Sequence, residues 1–213
     1  MAASDEITTQ NSTVEEWTEG LAQSSGSPGG GAGTGVMLAI AASLTSMVAG
    51  YSDNAGEELL GRARTLREAA LRLADEDSVA SKAFGAAFRL APGPGREEAI
   101  HQASVKAAKA SAALGEQAMD AIEDLGWLAA NGNPALIADV VVAFGALRAA
   151  IAGARTNVSF DLAALAKDGT PLEEVRSQHP GLWETVGRLS DALDRIDELT
   201  AQVDNKAAPT DAL

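Results

Sequence analysis

The chain has 213 residues, of which 46% are apolar but only 4% aromatic, and its formal net charge is −14. This length and apolar content suffice for one domain with a buried core, and they exclude an intrinsically disordered chain. The acidic charge argues against nucleic acid and against an anionic membrane surface as partners. The sequence contains no cysteine, which excludes disulfides and thiolate metal sites. With only two histidines, His101 and His179, far apart in the sequence, we expect no metal site.

The N-terminal segment and the most apolar stretch bear on where the protein is located. Residues 1–11 are polar and lack the apolar centre of a secretory signal. The stretch from Val36 to Gly50 is shorter than the roughly 20 residues that a membrane span needs. We therefore expect a cytoplasmic protein with a flexible arm over 1–11, one helical domain over 12–206 and a flexible tail over 207–213.

The predicted elements, in chain order, are all helices. The first begins at Thr13, which has the capping-box spacing with Glu16, and it ends near Gln23. Breakers divide the rest of the chain: APGPG at 91–95, NGNP at 131–134 and KDGTP at 167–171. The helices between them cover about 33–51, 54–90, 96–130, 134–167 and 181–205. No stretch alternates with the period of a strand. The sequence predicts an all-α antiparallel bundle of five or six mostly long helices.

A glycine-rich segment, PGGGAGTG at 28–35, precedes the second helix. It lacks the Gly-Lys-Ser/Thr of a P-loop, has no GxGxxG window and follows a helix rather than a strand, so both common phosphate-binding motifs are disfavoured. One interpretation is a ligand site, since the N–H groups at a helix N-terminus attract anionic or polar groups. The other is close packing between helices through small residues. The two are compatible.

Aspartates in the third and fifth helices are the candidate reactive groups. Asp75 and Asp77 are two residues apart and point to nearly opposite sides of a helix, so at most one faces the core, and both could be solvated. Asp139 begins a stripe of small residues at helical spacing that ends in polar residues: Ala143, Ala146, Ala150, Gly153, Asn157 and Asp161. Asp139 is either bonded to a neighbouring helix end or placed at a functional cavity.

Three blocks of sequence occur in the order found in a known family. They are Pro28 to Gly31 with Met47-Val48; Asp75 and Asp77 with Arg89, Leu90 and Pro92; and Gly132-Asn133-Pro134 with Asp139 and Asn157-Val158. On these blocks, over roughly residues 12–165, the chain resembles the formimidoyltetrahydrofolate cyclodeaminase family, which also includes bacterial methenyltetrahydrofolate cyclohydrolases.

The resemblance implies a helical homodimer that binds a tetrahydrofolate derivative as substrate, with no other cofactor. The family closes N5-formimidoyltetrahydrofolate to the 5,10-methenyl form with loss of ammonia, or opens the methenyl ring with water. Asp77 is implied as the catalytic proton shuttle. The residues implied to bind substrate are Gly29, Gly30, Gly31, Arg89, Asp139 and Asn157.

Several positions depart from the family pattern. Ala32 replaces a serine whose hydroxyl could contact the ligand, Ser81 lies where an aromatic residue is common, the segment 52–58 is acidic rather than basic, and Asp161 replaces an asparagine. Two alternatives therefore stay open: a diverged enzyme with a non-folate substrate, and a catalytically silent helical dimer that acts as an interaction module. The retained Asp-x-Asp and Gly-Asn-Pro favour an enzyme, whereas the loss of basic residues favours divergence.

Overall fold

The computed structural model describes residues 7–24, 28–166, 171–208 and 210, and every regular element in these residues is helical. This confirms the all-α prediction. The helices are α1 (Val14–Leu21), α2 (Gly30–Gly50), α3 (Glu57–Phe88), α4 (Pro94–Asn131), α5 (Ile137–Leu165), α6 (Leu172–Gln178) and α7 (Pro180–Ala207), with a 3₁₀ turn at Pro134–Leu136 before α5.

Local signals in the sequence account for several helix boundaries. Thr13 and Glu16 form the predicted capping box at α1, with Glu16 N–H donating to Thr13 Oγ1 at 3.2 Å and Thr13 N–H donating to Glu16 Oε2 at 2.8 Å. Asn133 Oδ1 accepts the N–H of Ala135 at 3.0 Å and caps the turn that leads into α5. The breaker between α3 and α4 contains Gly93, whose φ of 150° favours glycine.

Two boundaries differ from the prediction. Helix α2 begins at Gly30 rather than near residue 33, so part of the glycine segment is helical. The region after α5, interpreted as a short turn, contains the helix α6. Three parts of the predicted elements lie outside the described residues: the breaker residues 167–170, residues 1–6 of the predicted arm, and residues 209 and 211–213 of the predicted tail.

Helix α2 lies between α3 and α5, and small residues allow the close approach. Asn133, just before α5, donates its N–H to Ser52 Oγ at 2.9 Å just after α2, while Gly153 of α5 packs directly on Thr34 near the start of α2. The two helices are therefore antiparallel. On the α3 side, a β-carbon at Gly35 would lie 2.7 Å from that of Ala74, so this crossing depends on the glycine.

The main core is formed by α2, α4, α5 and α7 with part of α3, and its centre is the middle of α5. Its fully buried large side chains include Phe144, Leu147 and Ile151 of α5 with Leu125 of α4 and Leu189 of α7. Most other core positions are alanine, which brings helix backbones close together and leaves little room for change at the glycines between them.

Two helical segments, Gly30–Gly50 and Pro134–Leu165, are long and apolar enough to cross a membrane by length and composition alone. In the most apolar 18-residue window of each segment, 61% of the first and 33% of the second is buried against the rest of the chain. Core helices and membrane spans share this composition. The apolar residues that remain exposed include Met37, Ile40 and Met47 of α2, Tyr51 just after it and Val142 of α5.

A carboxyl pair at the N-terminus of α2

The first glycines of α2 have different surroundings. A β-carbon at Gly29 or Gly30 would meet no atom of the described residues within 4 Å, whereas one at Gly31 would overlap the carboxylate of Asp77. Gly31 is therefore needed to let an acidic side chain of α3 lie against the backbone of α2. Both interpretations of the glycine segment apply: Gly31 serves close packing, and Gly29 and Gly30 border open space.

Asp77 lies on the inward face of α3 with an exposed fraction of 6%. Its carboxylate accepts the backbone N–H of Ala32, and the hydroxyl of Ser81 donates to Oδ2 at 3.4 Å. Burial raises the pKa of Asp77, because it disfavours the charged form, and these two hydrogen bonds partly oppose that shift. The N-terminal N–H groups of α2 therefore contact a carboxylate of this chain.

A second buried carboxyl group, Asp161 of α5, lies on the same side of the bundle. Asp161 comes two helical turns after Gly153, the residue that packs on Thr34. The exposed fraction of Asp161 is 8%. Burial raises the pKa of Asp161 to about 7, and the negative charge of Asp77 contributes to that shift. Among the described residues, no hydrogen bond or ion pair to Asp161 is found.

Asn157 belongs to the same face of α5 as Asp161. It is partly exposed and lies one turn after Gly153 and one turn before Asp161. The structure thus brings together five of the predicted site residues and adds Asp161; the five are Gly29, Gly30, Gly31, Asp77 and Asn157.

Two predicted site residues lie elsewhere in the chain. Arg89 is the exposed C-cap of α3, 12 residues after Asp77 and so about 18 Å away along the helix. Asp139 is in the first turn of α5, 22 residues before Asp161 and so about 33 Å away. Within one chain, the structure does not bring Asp139 or Arg89 to the carboxyl group of Asp77.

Asp75 and Ala32 have structural surroundings that differ from the expectation. Asp75 is partly buried rather than directed to water, because it accepts the N–H of Thr9 at 2.6 Å and the side-chain amide of Gln10 at 3.2 Å. Ala32 is fully buried in a small cluster with Trp17 and Ala74. A serine hydroxyl at position 32 would meet this apolar cluster, so the departure at Ala32 concerns packing.

The two histidines are neighbours in space although they are far apart in the sequence. The ring centroids of His101 and His179 are 6.2 Å apart. The pKa of His179 is lowered, first by burial and then by the charges of His101 and Lys109. Two imidazoles do not complete a zinc site. No group of three or more metal-binding side chains is found within the part of the chain that the structure describes.

Sequence reasoning assigned no role in the site to Asp161 or Ser81. Asp161 was detectable as the polar end of a helical stripe, one turn beyond Asn157. Ser81 follows Asp77 by one turn and so lies within reach of its carboxylate. Burial raises the pKa of both Asp77 and Asp161, to about 7 for Asp161, and buried carboxyl groups with raised pKa values are candidates for acid–base chemistry.

The packing of α2 predicts opposite effects at two of its glycines. We expect Gly35→Ala to lower the free energy of unfolding by about 1–3 kcal/mol, because the new methyl group would overlap Ala74 and the backbone oxygen of Ala70. Gly33→Ala meets no atom within 4 Å and should raise the free energy of unfolding by up to about 1 kcal/mol through helix propensity. Urea unfolding measures both, and an equal effect at the two positions would contradict this packing.

Comparisons with known proteins agree with this helical architecture. The model of the formiminotransferase-cyclodeaminase family matches residues 13–179 of the chain. The crystal structure of formiminotetrahydrofolate cyclodeaminase from Thermotoga maritima is similar, with a TM-score of 0.70 and 22% sequence identity over 91% of this chain and 98% of that chain. At this identity the similarity is one of fold. No curated protein sequence matches the chain.

Proposed function

Because the chain belongs to the formiminotransferase-cyclodeaminase family, we propose that it is an enzyme acting on a carbon–nitrogen bond of a tetrahydrofolate one-carbon derivative. The substrate is N5-formimidoyltetrahydrofolate, from which ammonia is lost as in a lyase, or 5,10-methenyltetrahydrofolate, which water opens as in a hydrolase. The observation that carries this proposal is the buried carboxyl group of Asp77, held against Gly31 at the start of α2.

Asp77 is proposed as the proton shuttle of either reaction. Both pass through a tetrahedral carbon between N5 and N10, and protons must move between the attacking and leaving atoms. A carboxyl group suits this role when burial brings its pKa towards neutral pH, and burial raises that of Asp77. The contacts from Ser81 and Ala32 fix its orientation.

The open side of the glycine segment supplies room for the substrate. Since no atom of the described residues approaches the β-carbon positions of Gly29 and Gly30, we propose that the ligand contacts the backbone there and Asn157 on α5. Arg89 is too far from Asp77 to touch the reacting group, and we propose it as a contact for the anionic end of folate. Asp139 is not part of this proposed site. No cofactor is required beyond the folate substrate.

One observation favours a different substrate on the same scaffold. The buried groups near Asp77 add a second carboxyl, Asp161, rather than a cation that would bind an anionic folate tail. A silent interaction module is less favoured, since burying two carboxyl groups together is costly and such groups cluster at functional sites.

Turnover of both folates by the full chain tests the proposal. Ammonia release from N5-formimidoyltetrahydrofolate, or decay of the methenyl chromophore above the rate without protein, would support folate chemistry. Absence of binding and of turnover with both compounds would overturn it and favour the non-folate enzyme.

We also propose that the protein is a cytoplasmic homodimer. The exposed apolar residues Met37, Ile40 and Met47 of α2 recur at helical spacing along one face, which Tyr51 continues at the C-cap. A second copy of the chain would cover this face. Sedimentation should then give twice the chain mass of 21.7 kDa. We expect Ile40→Glu to shift the protein towards the monomer, and Val14→Glu, on exposed α1, to leave the mass unchanged. A monomeric wild type would contradict the proposal.

A further inference from the structure

Asp161 and Asp77 are both buried but differ in their hydrogen bonding. Asp77 has two hydrogen-bond donors, from Ala32 and Ser81, whereas none is found for Asp161 among the described residues. The fold therefore leaves a hydrogen-bonding position at Asp161 that a ligand can fill.

Within the described part of the chain, the helices packed around Asp161 bring no buried cation to it. Helix α2 contains no charged residue. Gly115 of α4 lies against Ala154 of α5. Asp161 is seven residues after Ala154, and the part of α4 at the same level is about seven residues before Gly115, near the buried residues Ser104 and Ala108. The hydroxyl of Ser104 is buried and also has no partner. Apart from partly buried Asp75, the nearby charged side chains of α3 to α6 are exposed: Lys82, Lys106, Lys109, Arg155, Glu173, Glu174 and Arg176.

We propose that Asp77 and Asp161 together bind a planar cationic carbon–nitrogen group, an amidinium or iminium, and that Asp161 is a catalytic residue of this site. The inference rests on the proposed function and specifies what the site recognises in its substrate. A positive charge complements the two buried carboxyl groups, and the two N–H bonds of an amidinium donate to carboxylate oxygens as a guanidinium does.

Both proposed folate substrates carry such a group at the reacting carbon. Protonated N5-formimidoyltetrahydrofolate is an amidinium and 5,10-methenyltetrahydrofolate is an iminium. In the cyclisation, the bond from N10 to the carbon forms, N10 loses one proton, and the leaving nitrogen gains one and departs as ammonia. Substrate and product are both cations of the same charge. The net change is therefore the transfer of one proton from N10 to the leaving nitrogen, and no oxidant or reductant is needed.

A pair of carboxyl groups with one proton between them provides both proton transfers. One accepts the proton of N10 while the other donates to the leaving nitrogen, and the pair still holds one proton afterwards. Burial raises the pKa of both groups, and the value of about 7 for Asp161 lets this residue hold a proton near neutral pH.

Carboxyl ¹³C NMR of the ligand-free full chain tests the pair without any folate. We expect formamidinium to shift the carboxyl signals of Asp77 and Asp161, and neutral formamide, of the same shape, to shift neither. In Asp161→Asn, the apparent affinity for formamidinium, read from the Asp77 signal, should fall roughly 10–100-fold, because one charged hydrogen bond is lost. Asp191→Asn, on the exposed side of α7, serves as the matched control and should leave it unchanged.

A second measurement compares the affinities for N5-formimidoyltetrahydrofolate and N5-formyltetrahydrofolate. The first compound carries a cationic nitrogen where the second carries a neutral oxygen. Wild type should prefer the formimidoyl compound, and Asp161→Asn should lose that preference while its affinity for the formyl compound stays within about twofold. If neither folate binds but formamidinium does, the proposed function fails and the cation site stands. If folate is turned over while Asp161→Asn changes neither the formamidinium response nor the preference, the cation site is overturned and the function stands.

Discussion

Asp77→Asn should lower kcat about 10³-fold, the usual contribution of a positioned acid–base group, while the protein remains folded. The amide has the shape of the carboxyl group but cannot accept a proton. Its oxygen can still accept the N–H of Ala32, and its NH₂ group can donate to the hydroxyl oxygen of Ser81. The measurement is the kcat for ammonia release or for loss of the methenyl chromophore, together with the circular dichroism of the variant. We expect the helical spectrum and the melting temperature to be maintained or raised, since a buried ionisable group is removed.

Asp75→Asn is the matched control, with the same change two residues away on the same helix. Asp75 is bonded to Thr9 and Gln10 rather than to α2, so its replacement should cost about 1 kcal/mol of stability and leave kcat within severalfold of the wild type. Normal turnover in Asp77→Asn would remove the proton-shuttle role. Equal loss of turnover in both variants would show that the activity depends on the packing of the N-terminal segment instead.

Local chemistry made much of the fold predictable. The capping box at Thr13 and Glu16 and the cap at Asn133 depend on side chains that bond to backbone groups two or three residues away. Such signals are contained in a short window of sequence. The 3.6-residue period likewise indicated that Asp75 and Asp77 cannot both face the core, and the structure buries Asp77.

Contacts between helices were outside the reach of that reasoning. The approach of Asp77 to Gly31 joins α3 to α2, and the interaction with Asp161 joins α3 to α5. These depend on how far each helix slides along its neighbour, which the sequence pattern of one helix does not specify. Asp161 therefore stood out in the sequence only as the end of a stripe.

One separation could have been obtained from helix geometry alone. Asp139 and Asn157 are 18 residues apart on the helix α5, and a rise of 1.5 Å per residue puts them about 27 Å apart. Two residues on the same face of a helix point in the same direction, but they can still lie far apart along the helix axis. The stripe of small residues between them is accounted for by packing, as at Gly153 against Thr34.

Asp161→Asn should make the protein more stable at pH 8 by roughly 2–4 kcal/mol and leave its stability near pH 4 almost unchanged. In the folded protein the pKa of Asp161 is about 7, compared with its ordinary value of 3.8. Between these values the folded state binds more protons than the unfolded state, so the free energy of unfolding falls as pH rises from about 4 to about 7 and is level above. The amide does not titrate, so position 161 no longer lowers the free energy of unfolding of the variant over this pH range.

The difference between variant and wild type across pH isolates Asp161 from the other acids. Urea unfolding of both proteins at several pH values between 4 and 8 should give curves that separate progressively with rising pH. Asp191→Asn removes the same charge at an exposed position and should give a difference that does not change with pH. A constant difference for Asp161→Asn as well would mean that Asp161 ionises as freely in the folded protein as in the unfolded chain. In that case the carboxyl pair could not hold a proton at neutral pH, and Asp77 would be left without an acid beside it.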